Sequence, residues 1–332
     1  MQSSKSVLPS NDTVEQVFKA LETETTALFK NLDLSFLTNY PMFAPDPRGR
    51  TRVHKPPELL KGVLHCFYHN IYGPRPIARE LRNEDIWRQC GFERPPSRRT
   101  LSRFITDFAF VAEDVFIELA HELAEQIPLG KLFRIDGTDI PADHRDNDAQ
   151  WSYDHSEDDY YYGYGCCVVT AANNIPVAAS FTPTKKVGEE TAMRVTRDAL
   201  AVKTPRWFLG DSEFDMLEWH DWLLEQSVVP ISPYNPRNTD NPPEIEYRVE
   251  KRIKKHSDTV RLWQHQLNET YAERSRVETA IGVCKDLGLG TPRVRGRVRV
   301  RAHVFLTLCL RLTVALANHH RENDVASPNI TL

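Results

Sequence analysis

Several things are missing from this sequence. Its six cysteines are scattered through 332 residues with no Cys-x-x-Cys pair, which argues against a disulfide framework or a cysteine zinc site and predicts buried thiols in a reducing compartment. No basic segment followed by an apolar one opens the chain, so no secretory signal is expected. The longest apolar run, Val304 to Ala317, is short for a bilayer and carries Arg311 inside it. These absences predict a soluble protein of the cytoplasm. A net positive charge is missing too, and −4 alone argues against a polyanionic partner. The distribution argues the other way. Acidic residues crowd Asp136 to Asp159, whereas basic ones gather at Arg94–Arg103, Arg248–Lys255 and Arg293–Arg301. Local patches decide where a polyanion docks.

What is present, at 40% hydrophobic and 27% charged residues, can build a core for one large or two ordinary domains. The first part has helical texture. Asn11 or Thr13 is placed to cap a helix over Val14 to Leu32, Pro41 to Arg52 reads as a loop, and a second helix starts at Pro57. Gly73–Pro76 breaks it, short helices occupy Ile77 to Arg88, and Gly91 ends them. Ser97 caps the next helix, with Arg98, Arg99 and Arg103 in its first turns. Helices joined by tight Gly/Pro turns suit a helix-turn-helix-like DNA reader, and a plain bundle with solvated arginines fits the same residues. A separate helix is expected over Ala112 to Ile127.

From there the texture changes to strand-length apolar runs. Leu132–Ile135 ends in Asp136-Gly137-Thr138, Tyr164–Thr170 and Ile175–Phe181 flank a hairpin turn, and Trp207–Leu209 ends in Gly210-Asp211. Helices are expected over Gly188 to Val202 and Phe214 to Gln226, a strand at Val228–Ile231, and a turn-rich stretch from Pro233 to Pro243. Strands paired as a hairpin and then alternating with helices predict an α/β fold, a mixed sheet with helices packed on it.

Asp136 and Asp211 each follow an apolar run directly, and carboxylates at the carboxyl ends of neighbouring strands face a common crevice. Asp139 and Asp215 lie close to the same strand ends, so spacing alone leaves them as alternatives. Further on, Tyr271, Arg274, Glu278 and Lys285 are three, four and seven residues apart and fall within roughly 60° of one another on a continuous helix. Val277, Ala280, Ile281 and Cys284 form the apolar stripe that would seat it. Glu278 can lean over the crevice of the two aspartates. Three carboxylates without a neighbouring His or Cys are hard oxygen donors, suited to Mg²⁺ or Mn²⁺. The fitting chemistry is two-metal phosphodiester cleavage, with Arg274 and Lys285 holding phosphate and Tyr271 bonding a phosphate or stacking on a base.

The order strand–Asp-Gly-Thr, strand–Gly-Asp, then Tyr-x2-Arg-x3-Glu-x6-Lys resembles the DDE transposases of prokaryotic insertion sequences, in the branch that carries this signature. Tyr161-Tyr162-Gly163-Tyr164 resembles that family's Tyr-Gly-Tyr approach to the second strand, and the likeness covers about Leu132 to Asn318. It implies a ribonuclease-H-like catalytic domain over 128–325 and an all-α amino-terminal region over 1–127 that binds terminal inverted repeats. It also implies Asp136, Asp211 and Glu278 as the ligands of two Mg²⁺ ions, with Mn²⁺ as a substitute, and a homodimer on paired DNA ends. The short interval from Asp211 to Glu278 leaves the strand-processing route open. Other readings are a two-metal structure-specific nuclease on the same core, or an idle repressor that only binds the repeats.

Beyond the signature, Arg293, Arg295, Arg297, Arg299 and Arg301 alternate with other residues. As an extended segment they would form one phosphate-tracking edge. A buried helix is expected over His303 to His320. Arginine outnumbers lysine and the net charge is negative, a balance that suits the salty cytoplasm of a halophile.

Overall fold

The computed structural model describes residues 22–45, 52–154, 158–236, 244–253 and 260–331. The expected cap at Asn11 or Thr13 and the start of its helix lie outside these residues. What is described begins with α1 (Glu24–Phe29), whose cap Thr23 accepts from the Thr26 amide at 3.2 Å. In α2 (Pro56–Tyr68), two prolines fill the first positions, where a missing amide hydrogen costs nothing. Two short helices, α3 (Pro74–Glu80) and α4 (Glu84–Gln89), follow, and Gly91 leaves them at φ +90°. Next, α5 (Arg98–Gln126) is capped by Ser97, which accepts from the Thr100 amide at 3.1 Å. One 29-residue helix thus replaces the two that were expected. Nothing between Phe108 and Ala112 breaks it, and Phe108, Val111, Ala112 and Val115 keep one buried face across the join.

The sheet begins with β1 (Leu132–Pro141), β2 (Gln150–Asp154), β3 (Asp159–Thr170) and β4 (Pro176–Thr182). β3 and β4 form the expected hairpin, turning through Asn173 and Asn174 at φ 56° and 54°, a region asparagine tolerates. Then come α6 (Glu189–Val202), β5 (Trp207–Leu209), α7 (Leu217–Glu225) and β6 (Val229–Ile231). β1 runs antiparallel to β3 and parallel to β5, and β6 runs parallel to β5. The order across the sheet is therefore β4-β3-β1-β5-β6, with β2 extending the outer edge of β3 beyond β4. Three antiparallel strands followed by two parallel ones, with helices between, make a ribonuclease-H-like mixed sheet. Ahead of it, the described residues up to Gln126 hold helices only.

Two details differ from the sequence reading. β1 does not end before Asp136 but continues to Pro141, because Asp136 and its successors still pair with Val168 to Gly163 of β3 after β5 has stopped at Leu209. β2 was not expected, since Gln-Trp-Ser-Tyr-Asp has no apolar run and pairing with Asp159–Gly163 alone makes it a strand.

The chain closes with α8 (Val260–Ala272), α9 (Arg276–Asp286) and α10 (Arg297–His320). A 3-10 turn over Glu273–Ser275 separates α8 from α9, so Tyr271 to Lys285 is not the single straight helix on which the alignment of four side chains was reckoned. The arginine run is not extended either. Arg297, Arg299 and Arg301 lie on α10, where residues two apart point about 200° apart and cannot share an edge. The loop after β1 makes this helix start early: Asp146 accepts from the Gly296 amide at 2.9 Å, Asp148 from the Arg297 amide at 3.0 Å, and Asp143 pairs with Arg295 at 2.7 Å. Carboxylates there also face the positive end of the helix dipole. Much of the acidic crowd thus serves the basic run. On length and composition α10 could cross a membrane, but 94% of the qualifying stretch is buried in the fold, packed on α5. Arg311, wholly buried, donates to the carbonyls of Asn173 at 3.0 Å and Val325 at 2.8 Å.

Candidate active site

β1 and β5 pair in parallel with Arg134 opposite Leu209, so two further residues bring Asp136, within β1, level with Asp211, just past the end of β5. Each aspartate is held by one oxygen. Asp136 Oδ1 accepts from the Gly137 amide and Asp211 Oδ1 from the Glu213 amide, both at 2.8 Å. The other oxygens converge. Arg274 reaches Asp136 Oδ2 at 3.3 Å, Asp211 Oδ2 at 3.9 Å and Glu278 Oε1 at 3.3 Å, so one guanidinium stands among three carboxylates. Glu278, one helical turn after Arg274, is the most exposed of the three side chains, at 64% against 14% for Asp136. Burial pushes the Asp136 pKa up to about 6, with the Asp211 charge adding to the rise and Arg274 opposing it.

The 3-10 turn that carries Arg274 is anchored from below. Arg134, 5% exposed inside β1, donates to the Glu273 carbonyl at 2.6 Å and to its carboxylate at 3.3 Å. This positioning residue was missed in the sequence, although an arginine in the run Leu-Phe-Arg-Ile was a signal. Gly137 answers a different need. A Cβ there would lie 2.7 Å from the Lys185 carbonyl, and one at Gly165 1.9 Å from that of Thr184, because segment 184–185 crosses the sheet at these glycines. Tyr161, in the Tyr-Gly-Tyr approach, holds that segment by accepting from the Lys185 amide at 2.6 Å.

The alternatives left open by spacing are now distinguished. Asp215 is buried, takes two bonds from Arg248 and accepts from the Asn235 amide at 2.8 Å, so both its oxygens are engaged away from the Arg274 group. Asp139 pairs with Lys285 at 3.0 Å. Lys285 therefore meets an aspartate of β1, and Arg274 the carboxylate group, where both were expected to hold phosphate. Tyr271 is half-buried, its ring 5.3 Å from Tyr247, against a small cluster containing Trp207, Leu209 and Ile231. Its ring seats α8, while its phenol feels the charges of Arg274, Asp211, Asp136 and Glu278 and so borders the carboxylate site. The side chain of Trp263, the nearest other aromatic in the sequence, lies outside the described residues.

The remaining basic residues lie apart from the carboxylates. Arg98, Arg99 and Arg103 are exposed at the start of α5, Arg293 is exposed before α10, Arg295 is paired with Asp143, and Arg297 is exposed on the first turn of α10.

Among the described residues, no three His, Cys, Asp or Glu side chains form a ready-made metal cage. The three carboxylates are instead gathered around a cation that the chain itself supplies. Their hard oxygens, with no nitrogen or sulfur donor beside them, match the ligand preference of Mg²⁺ or Mn²⁺.

Two carboxylates on neighbouring central strands of a ribonuclease-H-like sheet, one within β1 and one just past β5, with a third on a following helix, are the pattern of the DDE class of enzymes. Residues 128–313 match the family described as Transposase DDE domain. The chain is also 51% identical over 329 residues, covering 99% of itself and 100% of the relative, to the "Probable transposase for insertion sequence element ISH11" of Halobacterium salinarum, in strains R1 and NRC-1 alike. The chain belongs to the DDE transposase family, enzymes that act on DNA. Among solved structures it is similar to a piggyBac transposase synaptic complex with hairpin DNA, at TM-score 0.44 and 9% identity over 92% of this chain and 77% of that one. It is also similar to the Drosophila P element transposase strand transfer complex, at TM-score 0.29 and 13% identity over 92% and 72%. Likenesses this loose carry no argument about the site.

Proposed function

We propose that this transposase cuts DNA at the ends of an insertion sequence and joins them to target DNA, using Asp136, Asp211 and Glu278 to hold two Mg²⁺ ions, with Mn²⁺ able to replace them. The observation that carries the reading is the convergence of these three carboxylates on the Arg274 guanidinium. Bound ions of this kind activate an attacking oxygen and stabilise a leaving one. The chain's own part is positional. Backbone amides fix one oxygen of each aspartate and leave the other directed at the centre. Arg274 offsets the mutual repulsion of the carboxylates until other cations do so, and its planar fork then suits a phosphate, with Lys285 as a second, point-like charge.

In this reading 128–325 is the catalytic domain and 1–127 the region that grips the terminal inverted repeats through Arg98, Arg99 and Arg103. Arg293, Arg295 and Arg297 meet the DNA backbone nearer the catalytic face, and two copies of the chain pair two ends. The setting is the cytoplasm of a halophilic prokaryote, supported by the arginine-rich, net-acidic composition and by the source of the curated relatives.

Incubating the protein with end DNA and Mg²⁺ tests the proposal. Joined products are expected from the wild type and not from Asp136→Ala, Asp211→Ala or Glu278→Ala. Full activity in any of the three would remove that residue from the site, and cutting without joining would make the protein a nuclease.

A further inference from the structure

After β4 the chain does not enter α6 directly. Residues 183–187 form an irregular strap laid back across β1 and β3, and the sheet makes room for it with glycine. A Cβ on Gly165 would lie 1.9 Å from the Thr184 carbonyl oxygen and 2.6 Å from the Lys185 amide nitrogen. One on Gly137 would lie 2.7 Å from the Lys185 carbonyl oxygen. Glycine inside a strand weakens it, and here it marks the close approach of a second backbone.

Three hydrogen bonds pin the strap. Gln150 Nε2 donates to the Pro183 carbonyl at 3.3 Å, Thr182 Oγ1 to the Thr184 carbonyl at 2.6 Å, and the Lys185 amide to the Tyr161 hydroxyl at 2.6 Å. Val187, 3% exposed, anchors the far end in the core. A connection held at Pro183, Thr184, Lys185 and Val187 gives up conformational freedom that a plain β4–α6 linker would keep. At its centre stands Lys185, half-buried, whereas Lys186 beside it is exposed.

The strap meets β1 at the residue after Asp136. Burial raises the Asp136 pKa, and the positive charges that oppose the rise are those of Arg274 and, after it, Lys185. Arg274 comes from the 3-10 turn before α9 and Lys185 from the strap, so cations of two unrelated elements approach one carboxylate. Lys285, the lysine of the signature, is engaged with Asp139. An ammonium is a compact point charge on a flexible stem and suits a phosphate oxygen. We infer that Lys185 is a further DNA-contacting residue of the catalytic site: the strap holds its ammonium beside Asp136, where it takes a DNA phosphate at the cut bond or one nucleotide from it. Tyr161 is then a positioning residue, acting on DNA only through the Lys185 amide. The inference deepens the strand-cutting reading and rests on it.

The test is fluorescence anisotropy of the full chain on end DNA in Ca²⁺, which takes the same hard oxygen ligands, with joining in Mg²⁺ followed separately. Lys185→Gln is expected to weaken binding about fivefold or more and to lower the salt slope by about 0.9, whereas Lys186→Gln and Lys185→Arg stay within about twofold of the wild type. Three further probes each carry one neutral methylphosphonate, at the cut phosphate or at either neighbour. On one of them the wild type and Lys185→Gln should bind alike. Tyr161→Phe should weaken binding less than Lys185→Gln does, and should add nothing to it in the double variant. Wild-type affinity in Lys185→Gln, an equal loss in Lys186→Gln or in Lys185→Arg, or a Lys185 effect that survives on all three neutral probes would overturn the inference. Additive losses in the double variant would overturn the part given to Tyr161. A wild type that shows this dependence on Lys185 but joins no DNA in Mg²⁺ would count against the proposed chemistry and not against the contact.

Discussion

The arginines of the catalytic half and those at the start of α5 live under opposite rules. In the catalytic half, Arg134 on β1, Arg248 after β6 and Arg274 in the 3-10 turn are tied to carboxylates or carbonyls, and the first two are largely shielded from water. At and just before the start of α5, Arg94, Arg98, Arg99 and Arg103 are exposed, with no carboxylate or carbonyl partner among the described residues. A paired, buried guanidinium is a structural part whose loss strands the opposite charge. An unpaired, exposed one contributes little to stability and is free to meet a polyanion. Arg274 belongs to both groups, being paired and yet on the rim of the site, at 22% exposure.

Substitutions can break or sharpen this contrast. The largest effect is expected at the carboxylates: Asp136→Ala should reduce strand cleavage by about a thousandfold or more, read from the yield of cut ends, with the fold intact by circular dichroism. Next is Asp215→Ala, which removes a buried carboxylate bonded to Arg248 and to the Asn235 amide; a loss of about 2 kcal/mol or more is expected in urea denaturation. Smaller still is Arg98→Ala in the exposed group. Stability should stay within about 0.5 kcal/mol, while affinity for any DNA falls severalfold and the salt slope drops by about 1. The contrast fails if Arg98→Ala unfolds the protein or Asp215→Ala leaves it unharmed.

Acid should act on the joint between the two regions. His303 on α10 donates from Nε2 to the Gly288 carbonyl at 2.8 Å, its Nδ1 is buried without a partner, and its ring packs on Phe67 and Tyr72 of the helical region. Burial lowers its pKa to about 4, as it does for His65 on α2, where the charge of His69 adds to the effect. Both are neutral in the fold. As pH falls from about 6.5 toward 4, the unfolded chain takes up protons that the folded one refuses, so stability present above 6.5 is lost, on the order of 3 kcal/mol for each histidine. Denaturation midpoints at pH 7 and pH 5 check this, and His303→Gln should flatten the dependence.

The three carboxylates that meet at Arg274 were legible as a group because each rests on a local pattern: an apolar run followed by an acid, or a spacing within a signature. The β3–β4 hairpin was legible for the same reason, through its two asparagines. What escaped depends on partners far along the chain. β2 exists because β3 pairs with it, β1 extends past Asp136 because β3 is longer than β5, and Arg297, Arg299 and Arg301 are helical because Asp146 and Asp148 bond the amides at the helix start. The turn that breaks Tyr271–Lys285 follows from Arg134, 139 residues away, holding the carbonyl of Glu273. The alternation of arginines could suggest a strand edge because period-two spacing is the strand signature, and nothing local announces the aspartates that override it.

The central claim is that Asp136, Asp211 and Glu278 form one divalent-cation site. Calorimetric titration of the protein with Mn²⁺ at pH 7.5, without DNA, tests it most directly. The wild type should bind, and Asp136→Asn and Glu278→Gln should each weaken binding at least tenfold, while Asp215→Asn, provided it still folds, binds as the wild type does. Mn²⁺ binding unchanged by the first two substitutions would contradict the account.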